Sequence, residues 1–175
     1  MSLEALRGQL PDYAKDLRLN LESVLSEAGA QGLEPRQAHA VALASAIASR
    51  HRPLVEAMEL AATGLLAPAE LAGVRAAAAM MAMTNVYYRF THLVSNKEYE
   101  TLRAGLRMNV MRDPGIDKAS FELCALAVSA INGCGACMDS HERTLREHSV
   151  SAQGVQTAVR IAAVVHAVAV THEQI

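Results

Sequence analysis

The chain has 175 residues, of which 51% are hydrophobic and 19% are charged, so it holds enough apolar material for one domain with a sizeable core. Its 16 Lys and Arg residues nearly balance 18 Asp and Glu residues, which excludes the strongly basic surface of a typical nucleic-acid-binding protein and argues against an anionic membrane as partner. Only 3% of the residues are aromatic and Trp is absent, so we expect close-packed helices rather than a pleated sheet.

Residues 76–88 and 161–172 are apolar stretches without a charge, and both are shorter than the ~20 apolar residues that cross a bilayer. The first residues contain no apolar segment of the kind found in signal peptides. We therefore expect a cytoplasmic protein without a membrane partner. Its three cysteines do not predict a disulfide scaffold, and thiols that lie close together in a reducing compartment are typical of redox-active or metal-binding sites.

Helix-start and helix-stop signals recur along the first half of the chain. Pro11 and Asp12 open an amphipathic segment that extends to about Glu27. Proline predicts the first residue of three further helices, because its missing N–H group needs no partner there. These prolines are Pro35, Pro53 and Pro68. Gly64 fits the C-terminal stop of the helix that Pro53 begins.

The second half of the chain shows signals of the same kind. Residues 95–98 match a capping box before a short helix. Asp117 and Ser151 are suitable N-caps, and Gly133 interrupts the chain between them. The helices predicted here cover residues 118–132, the residues from Gly133 to about His148, and residues 152–171. No segment alternates with the period of two that strands require, so an all-α fold is predicted.

The order of the predicted helices indicates an internal repeat within a single domain over residues 1–175. Residues 46–86 align with residues 130–170 at a shift of 84 residues without a gap. In both segments a short helix precedes a longer helix rich in Ala, Val and Met. Cys134 and Cys137 have no counterparts in the first segment, so any thiol chemistry belongs to the C-terminal half.

The residues that can carry chemistry cluster around these two thiols. Cys134 and Cys137 fall in the first turn of a helix that follows Gly133, where unpaired N–H groups and the positive end of the helix dipole stabilise a thiolate. His141 is one turn beyond Cys137 on the same helix face, so its ring can approach that sulfur. Glu122 lies on the preceding helix, and a carboxylate behind an imidazole orients the ring and stabilises its protonated form.

Two interpretations of this cluster remain open. The helix N-terminus and the adjacent histidine favour a thiol/disulfide redox site. Alternatively, Cys134, Cys137 and His141 are three ligands of a zinc ion in a structural or interaction module, with His148 or Glu122 as the fourth. No second pair of Cys or His residues stands at zinc-finger spacing, which disfavours zinc. No glycine-rich phosphate-binding motif is present, so no tightly bound cofactor is expected.

Glu122, Cys134, Cys137 and His141 together form the motif Glu-x11-Cys-x2-Cys-x3-His. Further similarity lies in the segments LPDYAKD at 10–16, GLRMN at 105–109 and PGI at 114–116. By this motif and these segments the whole chain resembles the AhpD alkylhydroperoxidase family, within the carboxymuconolactone-decarboxylase-like superfamily.

The resemblance implies an all-helical protomer with two related halves and a CxxC at a helix N-terminus, assembled as a homotrimer. It implies reduction of organic hydroperoxides and of an AhpC-type peroxiredoxin, with electrons from dihydrolipoamide on a lipoylated protein. By the same resemblance Cys137 is the peroxidatic cysteine, which passes through a sulfenic acid. Cys134 is then its proton donor and resolving partner in a Cys134–Cys137 disulfide, and Glu122 and His141 form a proton relay.

The chain departs from the family pattern at one position. Some members have histidine immediately before the second cysteine of the motif, where this chain has Ala136. A lactone decarboxylase of the same superfamily is a further alternative, although such an enzyme would have no need for neighbouring thiols. We expect Cys124 to be a small core residue. The methionines of one apolar segment are expected to serve packing alone: Met80, Met81 and Met83.

Overall fold

Nine α-helices and two short 3₁₀ helices make up the computed structural model, which describes the whole chain, Met1–Ile175, and contains no β-strand. The all-α prediction is confirmed. The helices are α1 (Leu3–Gly8), α2 (Lys15–Leu25), α3 (Pro35–Ser49), α4 (Arg52–Ala61), α5 (Pro68–Leu93), α6 (Glu98–Thr101), α7 (Lys118–Ile131), α8 (Gly135–Glu147) and α9 (Ala152–His172). The 3₁₀ helices are Asp12–Ala14 and Asn109–Arg112.

Helix α7 is the centre of the core. All ten residues from Ser120 to Ser129 are buried, whereas a surface helix would bury one stripe only. Helices α3, α5, α8 and α9 pack around it. Much of this packing involves alanine, because its small side chain lets helix axes approach closely. Any charged residue on α7 within this span must therefore find a partner inside the protein.

Several helix ends follow the predicted signals. Asp117 accepts a hydrogen bond from the Ser120 N–H at 2.9 Å, and Ser151 accepts one from the Gly154 N–H at 3.1 Å. Helices α3 and α5 begin at the predicted prolines, whereas α4 begins one residue before Pro53.

Other local predictions are corrected by the structure. Helix α1 and the 3₁₀ turn Asn109–Arg112 were not predicted, because both are too short to show a hydrophobic period. The segment after Pro11 forms a 3₁₀ turn before α2 rather than one continuous helix. The capping box predicted at residues 95–98 is absent: the Asn96 side chain accepts from the Glu98 N–H at 3.0 Å instead.

The helix boundaries agree with the predicted repeat. Shifted by 84 residues, the starts of α3 and α4 fall within one residue of the starts of α7 and α8, and the start of α5 coincides with that of α9. The duplication itself stays a prediction, and superposition of the α3–α5 and α7–α9 backbones is its test.

By length and composition alone, helix α9 could cross a membrane. The sequence analysis considered only the charge-free residues 161–172, whereas the whole helix has 21 residues and includes Arg160. Half of its apolar window is buried inside the protein. It packs against α2, α3 and α7. Such packing is typical of a core helix, which passes the same test of length and composition.

Two buried histidines meet where the C-terminal end of α9 approaches α4. The rings of His51 and His172 are stacked with their centroids 5.4 Å apart, and Nδ1 of His51 lies 2.6 Å from Oε1 of Glu173. Nε2 of His172 is buried without a hydrogen-bond partner. Burial and the nearby charge of His51 lower the pKa of His172 below its ordinary value, although a backbone hydrogen bond with Leu6 opposes this.

This lowered pKa predicts a loss of stability in mildly acidic solution. In the unfolded chain His172 takes up a proton near its ordinary pKa of 6.5, while in the folded protein it stays neutral to lower pH. The free energy of unfolding should therefore fall as the pH drops through 6.5 and level off below the folded pKa. Urea unfolding at a series of pH values should show a smaller fall for His172→Phe. An equal fall in that variant and in a control, His148→Phe at an exposed site, would contradict this.

Candidate active site

The two cysteines of the motif stand at the start of α8. Gly133 has φ +68°, a conformation that glycine adopts without strain, and it turns the chain between α7 and α8. The sequence analysis placed both cysteines in the first turn of this helix. Cys134 is instead its N-cap residue, whereas Cys137 does lie in the first turn. The first N–H groups of α8 have no partners within the helix, so the positive end of the helix lies beside the sulfur atoms.

Cys134 and Cys137 are joined by a disulfide, with their Cα atoms 5.3 Å apart. The two residues differ in their access to solvent, since Cys134 is 0% exposed and Cys137 is 7% exposed. Cys137 lines a cavity of about 380 Å³, and Cys134 does not. A reagent that enters this cavity therefore meets Cys137.

The cavity lies between α5, α8 and the segment around the second 3₁₀ helix. Its wall is mostly apolar and includes three thioethers and one phenol ring. The lining residues are Met81, Thr84, Tyr88, His92, Met108, Met111, Ala136, Cys137, Ser140 and His141. A wall of this kind suits a small organic molecule with an apolar body.

Glu122 of α7 and His141 of α8 form a buried pair beside the cavity. Oε2 of Glu122 lies 2.6 Å from Nδ1 of His141, and Oε1 lies 2.6 Å from Nζ of Lys118. Burial opposes the ionisation of Glu122, but the hydrogen bonds from His141 and Lys118 outweigh it and lower the pKa of this carboxyl. Glu122 is therefore an anion that holds the histidine ring.

The second ring nitrogen of His141 has an unexpected partner. Its Nε2 lies 3.1 Å from Sδ of Met81, on α5. From the sequence we expected the His141 ring to approach the sulfur of Cys137, which lines the same cavity. In the disulfide form, the hydrogen-bond partner of Nε2 is a thioether.

A network of hydrogen bonds holds the turn at Gly133, which directly precedes Cys134. Nδ2 of Asn85 donates to Oγ of Ser129 at 2.9 Å, and Nδ2 of Asn132 donates to Oδ1 of Asn85 at 3.0 Å. Arg89 donates to the carbonyl oxygen of Asn132 at 2.7 Å. These bonds tie α5 to the end of α7, so the position of Gly133 relative to the cavity wall is fixed.

The structure brings together the predicted residues Glu122, Cys134, Cys137 and His141. The sequence analysis missed Lys118, although its position four residues before Glu122 on one helix was a usable signal. Met81 is packed as expected, but it is also a partner of His141. Ala136, where some family members have histidine, lines the cavity with a methyl group. The two imidazole rings in the cavity wall are those of His141 and His92.

The zinc alternative receives no geometric support. His148 is exposed, and its Nδ1 lies 2.9 Å from the carbonyl oxygen of Thr144, in the last turn of α8. No three side chains among His, Cys, Asp and Glu are arranged to hold a metal ion.

The third cysteine, Cys124, is a core residue, as predicted. It is fully buried on α7 and carries a free thiol. Burial, together with the negative charge of Asp117, raises the pKa of this thiol far above its ordinary value.

Comparisons with known proteins identify the family of the chain. The model of the carboxymuconolactone decarboxylase family matches residues 97–172, which include every residue of the motif. The chain is 53% identical over 173 residues to a protein of Bradyrhizobium sp. (strain BTAi1) named alkyl hydroperoxide reductase AhpD, covering 99% of this chain and 94% of that relative. The chain belongs to the AhpD family.

Two further relatives have the same name. The relative from Rhizorhabdus wittichii is 54% identical over 172 residues, which cover 98% of either chain. The relative from Streptomyces coelicolor is 53% identical over 171 residues, which cover 98% of this chain and 94% of that relative. Because the similarity to AhpD proteins spans both halves of the chain, it includes α5 as well as the thiol-bearing helix.

The buried Glu122–His141 pair should increase the rate at which the reduced protein reacts with an alkylating agent. Glu122→Gln and His141→Phe should each slow alkylation of Cys137 by iodoacetamide near neutral pH by about 10-fold or more, since a base beside a nucleophile contributes typically 10²–10⁴-fold. Because the two residues act as a unit, the double variant should lose much less than the product of the single losses. Multiplicative losses would contradict a shared relay, and Glu142→Gln, on the exposed face of α8, is the control.

Proposed function

We propose that this protein is an alkyl hydroperoxide reductase that reduces organic hydroperoxides through the Cys134–Cys137 dithiol and disulfide. The observation that carries the proposal is the unequal placement of the two sulfur atoms: Cys137 faces a cavity and Cys134 is buried behind it. The names of the relatives support the same activity. The Glu122–His141 pair supplies the base that such a thiol needs.

The first step is attack of the Cys137 thiolate on the O–O bond of the hydroperoxide. His141, held by Glu122, takes the thiol proton before the attack. The S–O bond forms as the O–O bond breaks, so the sulfur is oxidised to a sulfenic acid and the peroxide is reduced to an alkoxide. The proton on His141 then passes to the alkoxide, which leaves as an alcohol.

The second step closes the disulfide. The Cys134 sulfur displaces the hydroxyl group of the Cys137 sulfenic acid, and the thiol proton leaves with that group as water. The separation of the two Cα atoms in the closed form, 5.3 Å, is typical of a disulfide. An external dithiol then reopens the bond by two exchanges, giving up two electrons and two protons and becoming a disulfide itself.

The electron donor and the partners are proposed from the family resemblance. The donor is dihydrolipoamide, carried by a lipoylated protein, and the disulfide cycle also regenerates an AhpC-type peroxiredoxin. The protein acts as a homotrimer in the cytoplasm and needs no tightly bound cofactor. The apolar cavity supports this proposal, because a mostly apolar wall suits the carbon chain of a lipoyl group as well as that of an organic hydroperoxide.

A lactone decarboxylase is the second function suggested by the family description. The paired thiols favour the redox function, because decarboxylation does not use two electrons from a dithiol. The zinc-binding module is disfavoured by the absence of a metal-binding arrangement of side chains.

Steady-state oxidation of dihydrolipoamide tests the overall function. The protein should turn over dihydrolipoamide when an organic hydroperoxide is present and not when no oxidant is added, and Cys137→Ser should abolish this turnover. Addition of an oxidised AhpC-type peroxiredoxin in place of the hydroperoxide should also support turnover. Stoichiometric zinc bound to the protein as purified, without peroxide-dependent turnover, would favour the metal-binding module instead.

A second experiment tests the division of labour between the thiols. Cys134→Ser should still react with hydroperoxide and accumulate a sulfenic acid on Cys137 that dimedone traps, while turnover is lost. Cys137→Ser should not react, because Cys134 is buried away from the cavity. Mass spectrometry locates the adduct, and the buried Cys124 serves as an internal control in both variants. A sulfenic acid on Cys134 would reverse the assignment.

A further inference from the structure

The active-site cavity is open while Cys134 and Cys137 are joined as a disulfide. Its volume in this form is about 380 Å³, and Cys137 lies in its wall. The sulfur of Cys137 carries no thiol in the disulfide, so it cannot reduce a hydroperoxide that enters. The wall then holds three other sulfur atoms, which are the thioethers of Met81, Met108 and Met111.

Met81 is the least accessible of these thioethers. The residue is 2% exposed on α5. Three polar atoms surround its sulfur: Nε2 of His141 at 3.1 Å, Oγ1 of Thr84 at 3.6 Å and Nδ2 of Asn85 at 3.8 Å. An oxygen atom from the cavity has to reach the sulfur past these groups. The sulfur of Met81 is therefore largely covered.

Met108 and Met111 are more open. Both residues are half-buried, and both line the cavity. The N–H group of Met111 donates to the carbonyl oxygen of Met108 at 3.1 Å, so one tight turn brings the two side chains to the same wall. No residue of the 3₁₀ helix Asn109–Arg112 is buried. The unbranched side chain of methionine adapts readily in such a position.

We propose that Met108 and Met111 are a modification site, where a hydroperoxide in the cavity oxidises the thioethers to sulfoxides while the protein is in the disulfide form. The terminal oxygen of the hydroperoxide bonds to sulfur as the O–O bond breaks. The hydroperoxide proton passes to the other oxygen, which leaves in an alcohol. The sulfur loses two electrons and the hydroperoxide gains them, so no further reactant is needed. The proposal rests on the proposed function, because it takes a hydroperoxide as the ligand of this cavity.

The supply of the electron donor decides which sulfur reacts. While the donor keeps Cys137 reduced, its thiolate reacts first, because a thioether is uncharged and a weaker nucleophile. When the donor is scarce the disulfide form accumulates, and the next hydroperoxide meets the thioethers. A sulfoxide is polar, so the modified wall suits an apolar hydroperoxide less well. The two methionines thus lower hydroperoxide turnover when electrons are lacking.

Mass spectrometry of the full-length protein tests the modification site. The protein is first converted to the disulfide form, in which Cys124 is the one free thiol. It is then treated with cumene hydroperoxide in the absence of any dithiol, digested and analysed for sulfoxide at each methionine. Met108 and Met111 should be oxidised about 10-fold faster than methionines outside the cavity, because the cavity holds the reagent beside them.

The chain contains matched controls for this measurement. Met80, Met83 and Met138 are half-buried, as Met108 and Met111 are, but they lie outside the cavity wall. Equal oxidation of the cavity methionines and these three controls by cumene hydroperoxide would overturn the proposal. With hydrogen peroxide, which has no apolar body to be retained, the difference should shrink. An undiminished difference would show that local exposure alone sets the rates, and it would also overturn the proposal.

Activity measurements test the consequence of the modification. After the same treatment and restoration of the dithiol, kcat/KM of the wild type for cumene hydroperoxide should fall by about 10-fold, the scale of effect of one altered group in an apolar pocket. The double variant Met108→Leu, Met111→Leu keeps an apolar wall that cannot be oxidised. It should stay close to its own untreated value, and an equal fractional loss in both proteins would overturn the proposal.

The two measurements also separate this proposal from the proposed function. Absence of turnover by the untreated wild type would contradict the proposed function. The sulfoxide ratio would still decide whether Met108 and Met111 are the modification site, because it is measured on the wild type and requires no turnover. The same ratio decides the question if the double variant does not fold.

Discussion

The site depends on one constraint, a carboxylate in the middle of a buried helix. Glu122 lies within the run of ten buried residues of α7, where an unpaired charge is strongly destabilising. His141 and Lys118 satisfy its two oxygen atoms. Loss of one partner from such a buried pair costs about 3–5 kcal/mol. Helix α8 must therefore fold back along α7, and this return places the two thiols at the edge of the core.

The start of α8 also separates the thiols from one another. An N-cap residue and a residue in the first helical turn project differently from the helix axis, so Cys134 is enclosed while Cys137 borders the cavity. Both nevertheless remain within bonding distance. A single helix N-terminus thus places one sulfur atom at the cavity and encloses the other inside the protein. Helix α5 completes the arrangement, since it provides the opposite wall and the thioether that faces His141.

Much of this arrangement could be predicted from the sequence, because its signals are local. The turn at Gly133, the cap at Asp117 and the spacing of the motif all involve residues close together along the chain. The contact between Met81 and His141 joins residues 60 positions apart and follows from helix packing, for which one sequence holds no signal. The sequence also held no signal that Met108 and Met111 line the cavity, because their segment shows no regular hydrophobic period.

The depth at which Cys124 is buried bears on the fidelity of disulfide pairing. Three cysteines allow three different single disulfides, and exchange among them requires a thiolate that can reach a sulfur atom. Cys124 stays a thiol, because burial raises its pKa, and it is fully enclosed by α7 and its neighbours. It therefore does not attack the Cys134–Cys137 bond. Repeated oxidation and reduction can return the chain to the same isomer without scrambling.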